Sequence, residues 1–246
     1  MEEAKTIVSG NKVFRPLLDE TLTTEDLRVL REELNETPET REVALKVLKK
    51  LLSEQDEFLP RMDDMYLIRF LRCRKYDDHK GRAVYVLKIS RWVTNKISYA
   101  DFIAAGNLVA ENVLDNPVTQ INGYIGIWDF KGFSTGHFLP FCLPKHIILL
   151  TTLMQDRFPA RFKIAYCVNC RSLVNTAWNL FKPLMKEKFR HRVQILGSDM
   201  TELHKFIDPC ILPVEYGGKF VESKEIAQRV FDKEQAVKYN SKFGFL

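Results

Sequence analysis

The sequence predicts an α/β protein in which a small N-terminal helical subdomain precedes a mostly parallel sheet flanked by helices. The first observation is a helical spacing of apolar residues in the N-terminal third of the 246-residue chain. The second is a change of pattern after Gly81, where β-rich apolar segments alternate with helical segments. Strands that are apolar throughout must be covered on both faces, which is typical of parallel sheets.

The N-terminal third contains three predicted helices. Each follows a side chain that can cap a helix, and each then places apolar residues three or four positions apart. In the first helix, Leu27, Leu30 and Leu34 share one face. The expected limits are Thr23 or Thr24 to Glu36 for the first helix, a start at Thr37-Pro38 for the second, and a start after Asp63 or Asp64 for the third.

Four strands and three longer helices are predicted after Gly81. Pro183 lies inside the last of these helices, and because proline has no backbone N–H we expect a kink or a break there. The predicted strands are 83–89, 124–130, 162–168 and 193–196. The predicted helices are 101–114, 145–154 and 178–189.

The composition is that of a soluble globular protein, with 46% apolar and 28% charged residues. The net charge of +5 is compatible with an anionic membrane or nucleic acid but selects neither. No apolar run approaches the ~20 residues of a membrane span, and the start Met1-Glu-Glu-Ala-Lys has no secretory core. Five cysteines, an odd number, indicate reduced thiols in the cytoplasm.

The sequence contains none of the common nucleotide-binding, metalloprotease or serine-hydrolase motifs. The five histidines are scattered without partners at catalytic spacing, so we expect no enzymatic activity, no metal and no cofactor. Cys167-Val-Asn-Cys170 has the spacing of redox pairs, but it ends a predicted strand instead of opening a helix. Core thiols are the favoured interpretation; a redox enzyme is the alternative, and it requires a thiol pKa well below ~8.5.

Residues 186–193, KEKFRHRV, concentrate five cationic or potentially cationic side chains. A solvated helix face is the ordinary explanation of such a run. Ser198 or Asp199 can then cap a short amphipathic helix, whose apolar face would carry Met200, Leu203, Phe206 and Ile207. An amphipathic helix beside a cationic cluster is typical of an element that touches a membrane surface.

Five segments, in the same order, resemble the CRAL-TRIO lipid-transfer family. The resemblance implies a helical subdomain packed on a lipid-binding domain, whose cavity has the sheet as its floor and a mobile lid helix as its cover. It also implies a hydrophobic ligand, namely a retinoid, a tocopherol or a phospholipid. The segments are DDMYLIRFLRCRKYD (63–77), TQINGYIGIWDFKGFS (119–134), LMQDRFPARFK (153–163), KPLMKEKFRHRVQILGSDMTELHKFIDP (182–209) and ILPVEYGGKF (211–220).

The resemblance assigns candidate sites by position. The lid falls on 198–218, with Met200, Leu203, Phe206 and Ile207 facing the ligand. A basic cleft for a phosphoinositide headgroup falls on Arg74, Lys188, Arg190 and Arg192, although Arg192 could instead pair with a carboxylate such as Glu215. The candidate cavity residues, each of which could also be plain core, are Phe133, Phe138, Ile148, Thr152, Phe158, Tyr166, Val168, Trp178, Phe181 and Leu184.

The chain departs from the family pattern after Asp77. Several tens of residues of the usual pattern are missing, since only Asp78-His79-Lys80 precede the segment that contains the first predicted strand, 81–92. We therefore expect the third helix to lose its cover and to expose Leu67, Phe70 or Leu71. The expected organisation is a truncated helical subdomain over 1–78, the lipid-binding domain over 79–222 and a C-terminal helix or tail over 223–246.

These observations together predict a binding and transfer protein for a hydrophobic small molecule, which docks on phosphoinositide-containing membranes through a basic patch. The alternative is an interaction module that reads phosphoinositides without carrying cargo. We expect a monomer in the cytoplasm with peripheral membrane association and no nucleic-acid partner.

Overall fold

The computed structural model describes residues 21–54, 58–72, 83–159 and 161–219, together with three short strands outside these ranges. The helices are α1 (Thr24–Arg28), α2 (Pro38–Ser53), α3 (Asp64–Arg72), α4 (Tyr99–Leu114), α5 (Pro117–Asn122), α6 (Thr135–Phe141), α7 (Pro144–Thr152), α8 (Ser172–Phe181), α9 (Glu187–Arg190) and α10 (Met200–His204). The strands are β1 (Ile7–Ser9), β2 (Lys12–Phe14), β3 (Phe58–Leu59), β4 (Ala83–Lys88), β5 (Tyr124–Asp129), β6 (Phe162–Val168), β7 (Val193–Ile195) and β8 (Gly244–Phe245).

Local capping signals explain where several helices begin. The Thr23 hydroxyl accepts a hydrogen bond from the Asp26 N–H, and the Asp26 carboxylate accepts one from the Thr23 N–H at 2.7 Å. Thr37 caps α2 in the same reciprocal way, with Pro38 as its first residue. Each cap satisfies backbone N–H groups that have no partner inside the helix, which fixes these helix starts by local sequence.

Proline is involved in two of the differences between the observed and the predicted helices. α8 begins well before the predicted 178 and ends at Phe181, because Pro183 lies in a 3-10 turn (Lys182–Leu184) and cannot continue the helix. The helix resumes only as the single turn α9. α6 was not predicted, since Gly136 and Pro140 are poor helix formers; a capping box at Ser134 starts it nonetheless.

A four-stranded sheet, in the order β4-β5-β6-β7, forms the centre of the molecule. All three neighbouring pairs are parallel, and the register aligns Val86 with Ile127, Ile127 with Tyr166, and Tyr166 with Gln194. Parallel neighbours require a connection that returns from one end of the sheet to the other, and helices make each of these connections. The α/β class predicted from the alternating pattern is thus confirmed.

The two faces of this sheet are covered by different parts of the chain. The first face carries Trp128, Cys167 and other alternate residues, which pack in one core with Phe130 and with residues of α8 and α9. The second face carries the residues between them, such as Ile127 and Val168, in a separate core. Because successive side chains of a strand point to opposite faces, β4, β5 and β6 each contribute to both cores, while β7 contributes Val193 and Ile195 to the first.

The second face is covered by the segment that follows β7. Leu203, Leu212 and Tyr216 from this segment are fully buried against Ile127 and Val168. The segment comprises α10 and two 3-10 turns, Pro209–Ile211 and Val214–Tyr216. This packing closes the second face with the protein's own side chains.

The helical subdomain is joined to the α/β part by buried ionic contacts. Arg72 donates to Glu36 at 2.6 Å and to the Gln120 side chain at 2.8 Å, which ties α3 to α5. Arg69 pairs with Asp115 at 2.5 Å. A buried guanidinium needs such partners to offset the loss of water, so these contacts fix how α3 lies on α5.

The expected exposure of α3 is found at only one of the three positions named. Leu67 is buried against Leu45 of α2, which covers the apolar side of α3. Phe70 is half-buried, and Leu71 is 37% exposed. The shortened junction after Asp77 and the predicted tail over 223–246, apart from β8, lie outside the described residues.

Asp129 connects the end of β5 to the residues that follow β5 and β6 and to the layer on the second face. Its Oδ1 accepts hydrogen bonds from the Lys131 N–H at 2.8 Å and from the Asn169 side chain at 2.7 Å. Its Oδ2 accepts one from the Tyr216 hydroxyl at 2.9 Å, inside the core of the second face. Asp129 is only 7% exposed, so these donors replace the water that the carboxylate loses on folding.

We expect Tyr216→Phe to lower the free energy of unfolding by about 1.5–3 kcal/mol, because the buried Asp129 carboxylate loses a donor. Guanidinium chloride unfolding, followed by tryptophan fluorescence, measures this change. Tyr85→Phe is the control, since the Tyr85 hydroxyl donates to none of the described residues. Equal losses in the two variants would contradict a stabilising Tyr216–Asp129 bond.

Leu203→Ala removes a fully buried side chain from the second face. We expect a loss of about 2–5 kcal/mol in the free energy of unfolding, because the neighbouring side chains cannot collapse into the space. Val214→Ala in the same segment, where Val214 is largely exposed, should change stability by less than about 0.5 kcal/mol. A small effect of Leu203→Ala would show that α10 is not anchored on the sheet.

Candidate functional site

A cavity of about 170 Å³ lies between the first face of the sheet and the helices that cover it. Its floor is formed by the sheet, its walls by α4 and by the end of α7 with the turn after it, and its cover by the stretch from α8 to α9. Floor residues include Tyr85, Leu87, Tyr124, Trp128, Phe162 and Cys167. Cover residues include Val174, Ala177, Trp178, Phe181, Met185 and Phe189.

One face of α4 provides a wall of the cavity. Ile103, Gly106, Asn107 and Ala110 line it, and their spacing of three and four places them on one side of the helix. A Cβ added to Gly106 would meet no atom within 4 Å, so the space beside this glycine is empty of protein. Gly106 therefore widens the cavity at its wall.

Aromatic rings form much of the lining. Trp128 stacks on Phe162 with ring centroids 6.2 Å apart, and Phe162 stacks on Phe189 at 5.3 Å. Phe141 packs on Phe181 at 5.4 Å, which joins α6 to the cover. Among the described residues that line the cavity, none carries a charge. Such a surface suits an uncharged, apolar guest.

The polar side chains in the lining are few and neutral. Thr151 is satisfied within α7, where its hydroxyl donates to the Ile147 carbonyl at 2.8 Å. Burial raises the pKa of Tyr85 to about 12, and burial together with the neighbouring Tyr85 raises the pKa of Tyr124 further. Both phenols therefore keep their protons over the whole physiological pH range.

The structure separates the ten predicted cavity residues into four groups, of which the fourth, Tyr166 and Val168, lies on the second face of the sheet. Phe158, Trp178 and Phe181 line the cavity. Thr152 is half-buried, while Ile148 and Leu184 are 56% and 50% exposed and face away from the cavity. Phe133 and Phe138 belong to the core of the first face without reaching the lining.

Tyr166 and Val168 need a correction, because they lie on the second face of the sheet. Their odd-numbered neighbour Cys167 points to the cavity instead. The apolar run 162–168 gives no indication of which alternate set faces which layer, since both sets are apolar. The residues of α4 that line the cavity were not predicted from the sequence. The spacing of Ile103, Gly106, Asn107 and Ala110 by three and four residues could have indicated that they share one helix face.

The predicted lid over 198–218 is also corrected. Leu203 and Ile207 are buried in the core of the second face, and Met200 packs against the same core. Phe206 stacks on Tyr166 at 5.0 Å, again on that side of the sheet. None of these four residues lines the cavity. The cavity is covered instead by the segment from α8 to Phe189.

The basic run 186–193 does not present its cations on one side. α9 turns helically, so Lys188 and Arg190 diverge, and Lys188 lies beside Arg192 instead. Loss of water and then the charge of Arg192 lower the pKa of Lys188. Arg192 donates to the Phe162 carbonyl at 2.7 Å.

The other predicted cations of the basic cleft are Arg192, Arg190 and Arg74. Glu215 pairs with Lys88 at 2.5 Å, so it does not serve as the suggested partner of Arg192. Arg190 is half-buried, and its Nε is buried without a hydrogen-bond partner among the described residues. Arg74 lies outside the described residues.

The cysteine pair does not meet the requirement of a redox enzyme. Burial raises the pKa of Cys167 well above its usual value and that of Cys170 to about 12. A reactive thiol requires the opposite shift, because the thiolate is the nucleophile. In the described part of the chain, no group of three or more His, Cys, Asp or Glu side chains could hold a metal ion.

An apolar surface lies on the outside of the helices that enclose the cavity. We call it the outer apolar surface and define it by five exposed residues: Leu139, Leu143, Ile148, Leu180 and Leu184. Leu139 lies on α6, Leu143 directly before α7 and Ile148 on α7. Leu180 lies on α8 and Leu184 in the 3-10 turn after it, and α6 packs against both α7 and α8. No single described helix is long and apolar enough to span a membrane; Thr135–Phe141 and Pro144–Gln155, bent by 71°, pass that test only as a pair.

Known proteins are similar to this chain in sequence. The CRAL/TRIO domain matches residues 71–218. Alpha-tocopherol transfer protein-like from Mus musculus is 30% identical over 245 residues, covering 79% of this chain and 70% of the relative. Clavesin-2 from Rattus norvegicus is 27% identical over 245 residues, covering 80% and 75%.

Among solved structures, the crystal structure of Sfh5 aligns with a TM-score of 0.46 and 19% identity, covering 59% of this chain and about half, 53%, of the other. The domain match takes in the whole central sheet and the segments that cover both of its faces. Since that match spans more than half of the residues, the chain belongs to the CRAL/TRIO domain family.

Proposed function

We propose that this protein binds a hydrophobic small molecule in the cavity and carries it between membranes. The observation that carries the proposal is the uncharged, aromatic-rich cavity on the first face of the sheet. A relative with 30% identity is named for similarity to a tocopherol transfer protein, which supports a tocopherol or a related lipid as the ligand. A retinoid is the other ligand class proposed. The protein would act as a monomer in the cytoplasm.

The driving force is the removal of apolar surface from water. Each Å² of apolar ligand surface buried contributes about 25 cal/mol, without any specific bond. The cavity of about 170 Å³ is only a little larger than the ~150 Å³ cavity that accepts benzene. A guest as long as a retinoid therefore needs the cover to move outward, and opening becomes part of binding.

The outer side of the cover would contact the membrane. Ala177 and Phe181 face the cavity, whereas Leu180 and Leu184 on the same segment are exposed on the outer apolar surface. Lys182 is exposed beside them, and Lys188 follows in α9. Leucines that enter a bilayer and lysines that contact anionic headgroups would act on the segment that closes the cavity.

The small volume also favours a second candidate function, a module that reads phosphoinositides without carrying cargo. An organic extract of the protein purified from its own source separates the two. A lipid recovered in near-equal molar amount supports the carrier, and an empty extract supports the module. Native mass spectrometry of the same sample would give the mass of the ligand.

Gly106→Phe should fill the cavity from its wall. The added ring meets no protein atom near its Cβ, so we expect the fold to persist while affinity for the neutral dye aminoanthracene falls by at least ~10-fold. Fluorescence titration measures the affinity. Gly106→Ala is the matched control: it should stabilise α4 by about 0.5–1 kcal/mol and retain dye binding. Unchanged affinity in Gly106→Phe would place the dye outside the cavity.

Charge reversal tests the membrane contact. We expect Lys188→Glu with Arg190→Glu to weaken binding to phosphatidylcholine vesicles containing phosphatidylinositol bisphosphate by roughly 30-fold, since each cation contributes about 1 kcal/mol near an anionic surface. Co-sedimentation at low salt measures this, and aminoanthracene affinity should stay constant.

The control for this variant is Lys46→Glu with Lys50→Glu, which changes the net charge equally on the exposed face of α2. It should bind the vesicles like the wild type. An equal loss in both double variants would mean that only net charge matters, and no loss in either would remove the headgroup contact from the proposal.

A further inference from the structure

Three hydrogen-bond donors surround one glycine on the floor of the cavity. Tyr85 on β4 lies directly opposite Gly126 on β5. Tyr124 and Trp128 lie two residues before and two residues after Gly126 on the same strand, so their side chains share its face. All three side chains line the cavity. The sheet register therefore brings two phenols and one indole around a position that has no side chain.

The indole nitrogen of Trp128 lies over this glycine. A Cβ built on Gly126 would be 2.9 Å from Nε1 of Trp128, closer than real contacts allow. The ring can occupy this position only because residue 126 is glycine. The N–H of Trp128 is consequently held next to the backbone position that faces Tyr85.

None of these three donors is used by the fold. Within the described ranges, the Tyr85 and Tyr124 hydroxyls and the Trp128 N–H form no hydrogen bond with protein, unlike the Tyr216 hydroxyl and the Trp92 N–H. They are also not among the buried polar atoms left unsatisfied in that part of the chain, which belong to Glu33, Arg69, Arg161 and Arg190. Donors that have no protein partner and are still accessible from the cavity can donate to an acceptor of a bound ligand.

The charge of that acceptor is limited by the lining. A carboxylate or phosphate in the cavity would lose its water without meeting a cation, because the described lining residues are all uncharged. A neutral oxygen has a much smaller cost of desolvation, which one or two hydrogen bonds offset. The donors thus suit a carbonyl, an ester or an alcohol oxygen.

Resting on the proposed function, we propose that Tyr85, Tyr124 and Trp128 form a subsite that binds one neutral oxygen of the ligand against Gly126. The ligand lies with its polar end on the sheet and its apolar tail toward the cover. The protein accordingly selects neutral ketones, esters or alcohols over the corresponding acids. The raised pKa values of both tyrosines agree with this role, since a phenol must keep its proton to donate.

The test uses three probes with the same carbon number: methyl undecyl ketone, tridecane and tridecanoic acid. Each competes with aminoanthracene for wild-type protein, Tyr85→Phe, Tyr124→Phe and the double variant. We expect each single change to weaken ketone binding about three- to ten-fold, and the double change more than ~10-fold, by loss of hydrogen bonds. Tridecane affinity should not change, and tridecanoic acid should bind the wild type more weakly than the ketone at neutral pH.

Tyr166→Phe is the matched control, because Tyr166 lies on the same sheet but packs in the core of the second face. It should leave the affinities for all three probes unchanged. Gly126→Ala supplies an independent variant: its methyl group displaces the Trp128 indole, and ketone binding should weaken while tridecane binding persists. Circular dichroism confirms that each variant is folded before its affinities are compared.

Three outcomes separate this subsite from the proposed function. If the wild type binds no probe and no aminoanthracene, the carrier function fails and the subsite fails with it. If ketone and tridecane bind but the tyrosine variants leave ketone affinity unchanged, the cavity stands and the subsite is overturned. If tridecanoic acid binds the wild type as tightly as the ketone, selection for a neutral oxygen is overturned.

Discussion

A parallel sheet whose strands are apolar on both sides must be covered on both faces. In this protein one face is packed closely and the other is not. On the second face, the segment after β7 packs its buried Leu203, Leu212 and Tyr216 directly onto the strands. On the first face, large aromatic rings and the wall of α4 leave a cavity of about 170 Å³. The unequal covering of one sheet therefore leaves a cavity on the first face and a packed core on the second.

Asp129 joins the segment that covers the second face to the ends of the strands. It ends β5, the strand that carries the cavity residues Tyr124 and Trp128, and it holds Tyr216 from the opposite layer by a buried hydrogen bond. Asn169, just after β6, bonds to the same carboxylate. Since a half-satisfied buried carboxylate is costly, these contacts position the ends of two neighbouring strands together. The floor of the cavity is thereby fixed while its cover remains attached mainly by apolar contacts.

The segment from α8 to α9 has two apolar sides, which is unusual for a surface helix. One side completes the aromatic lining, and the other contributes Leu180 and Leu184 to the outer apolar surface. Water disfavours the outer side, whereas a bilayer favours it, so the balance of forces on this segment depends on the surrounding medium. Pro183 interrupts its hydrogen-bond ladder at the point where the basic run begins. A cover divided in this way is the element on which the proposed membrane contact would act.

The sequence by itself determined the α/β class, all four central strands, a cap at Thr23 or Thr24 and a helix start at Thr37-Pro38, because these depend on local pattern and on capping chemistry. It also predicted a kink or a break at Pro183, and the structure has the break, since α8 ends at Phe181. Only the tertiary structure decided which side chains of apolar strands face the cavity, since Tyr166 and Cys167 are adjacent and both apolar enough for either layer. The tertiary structure alone also decided that the segment after β7 packs on the second face. An amphipathic pattern predicts that one face of an element is buried. The path of the chain decides which layer that face packs against.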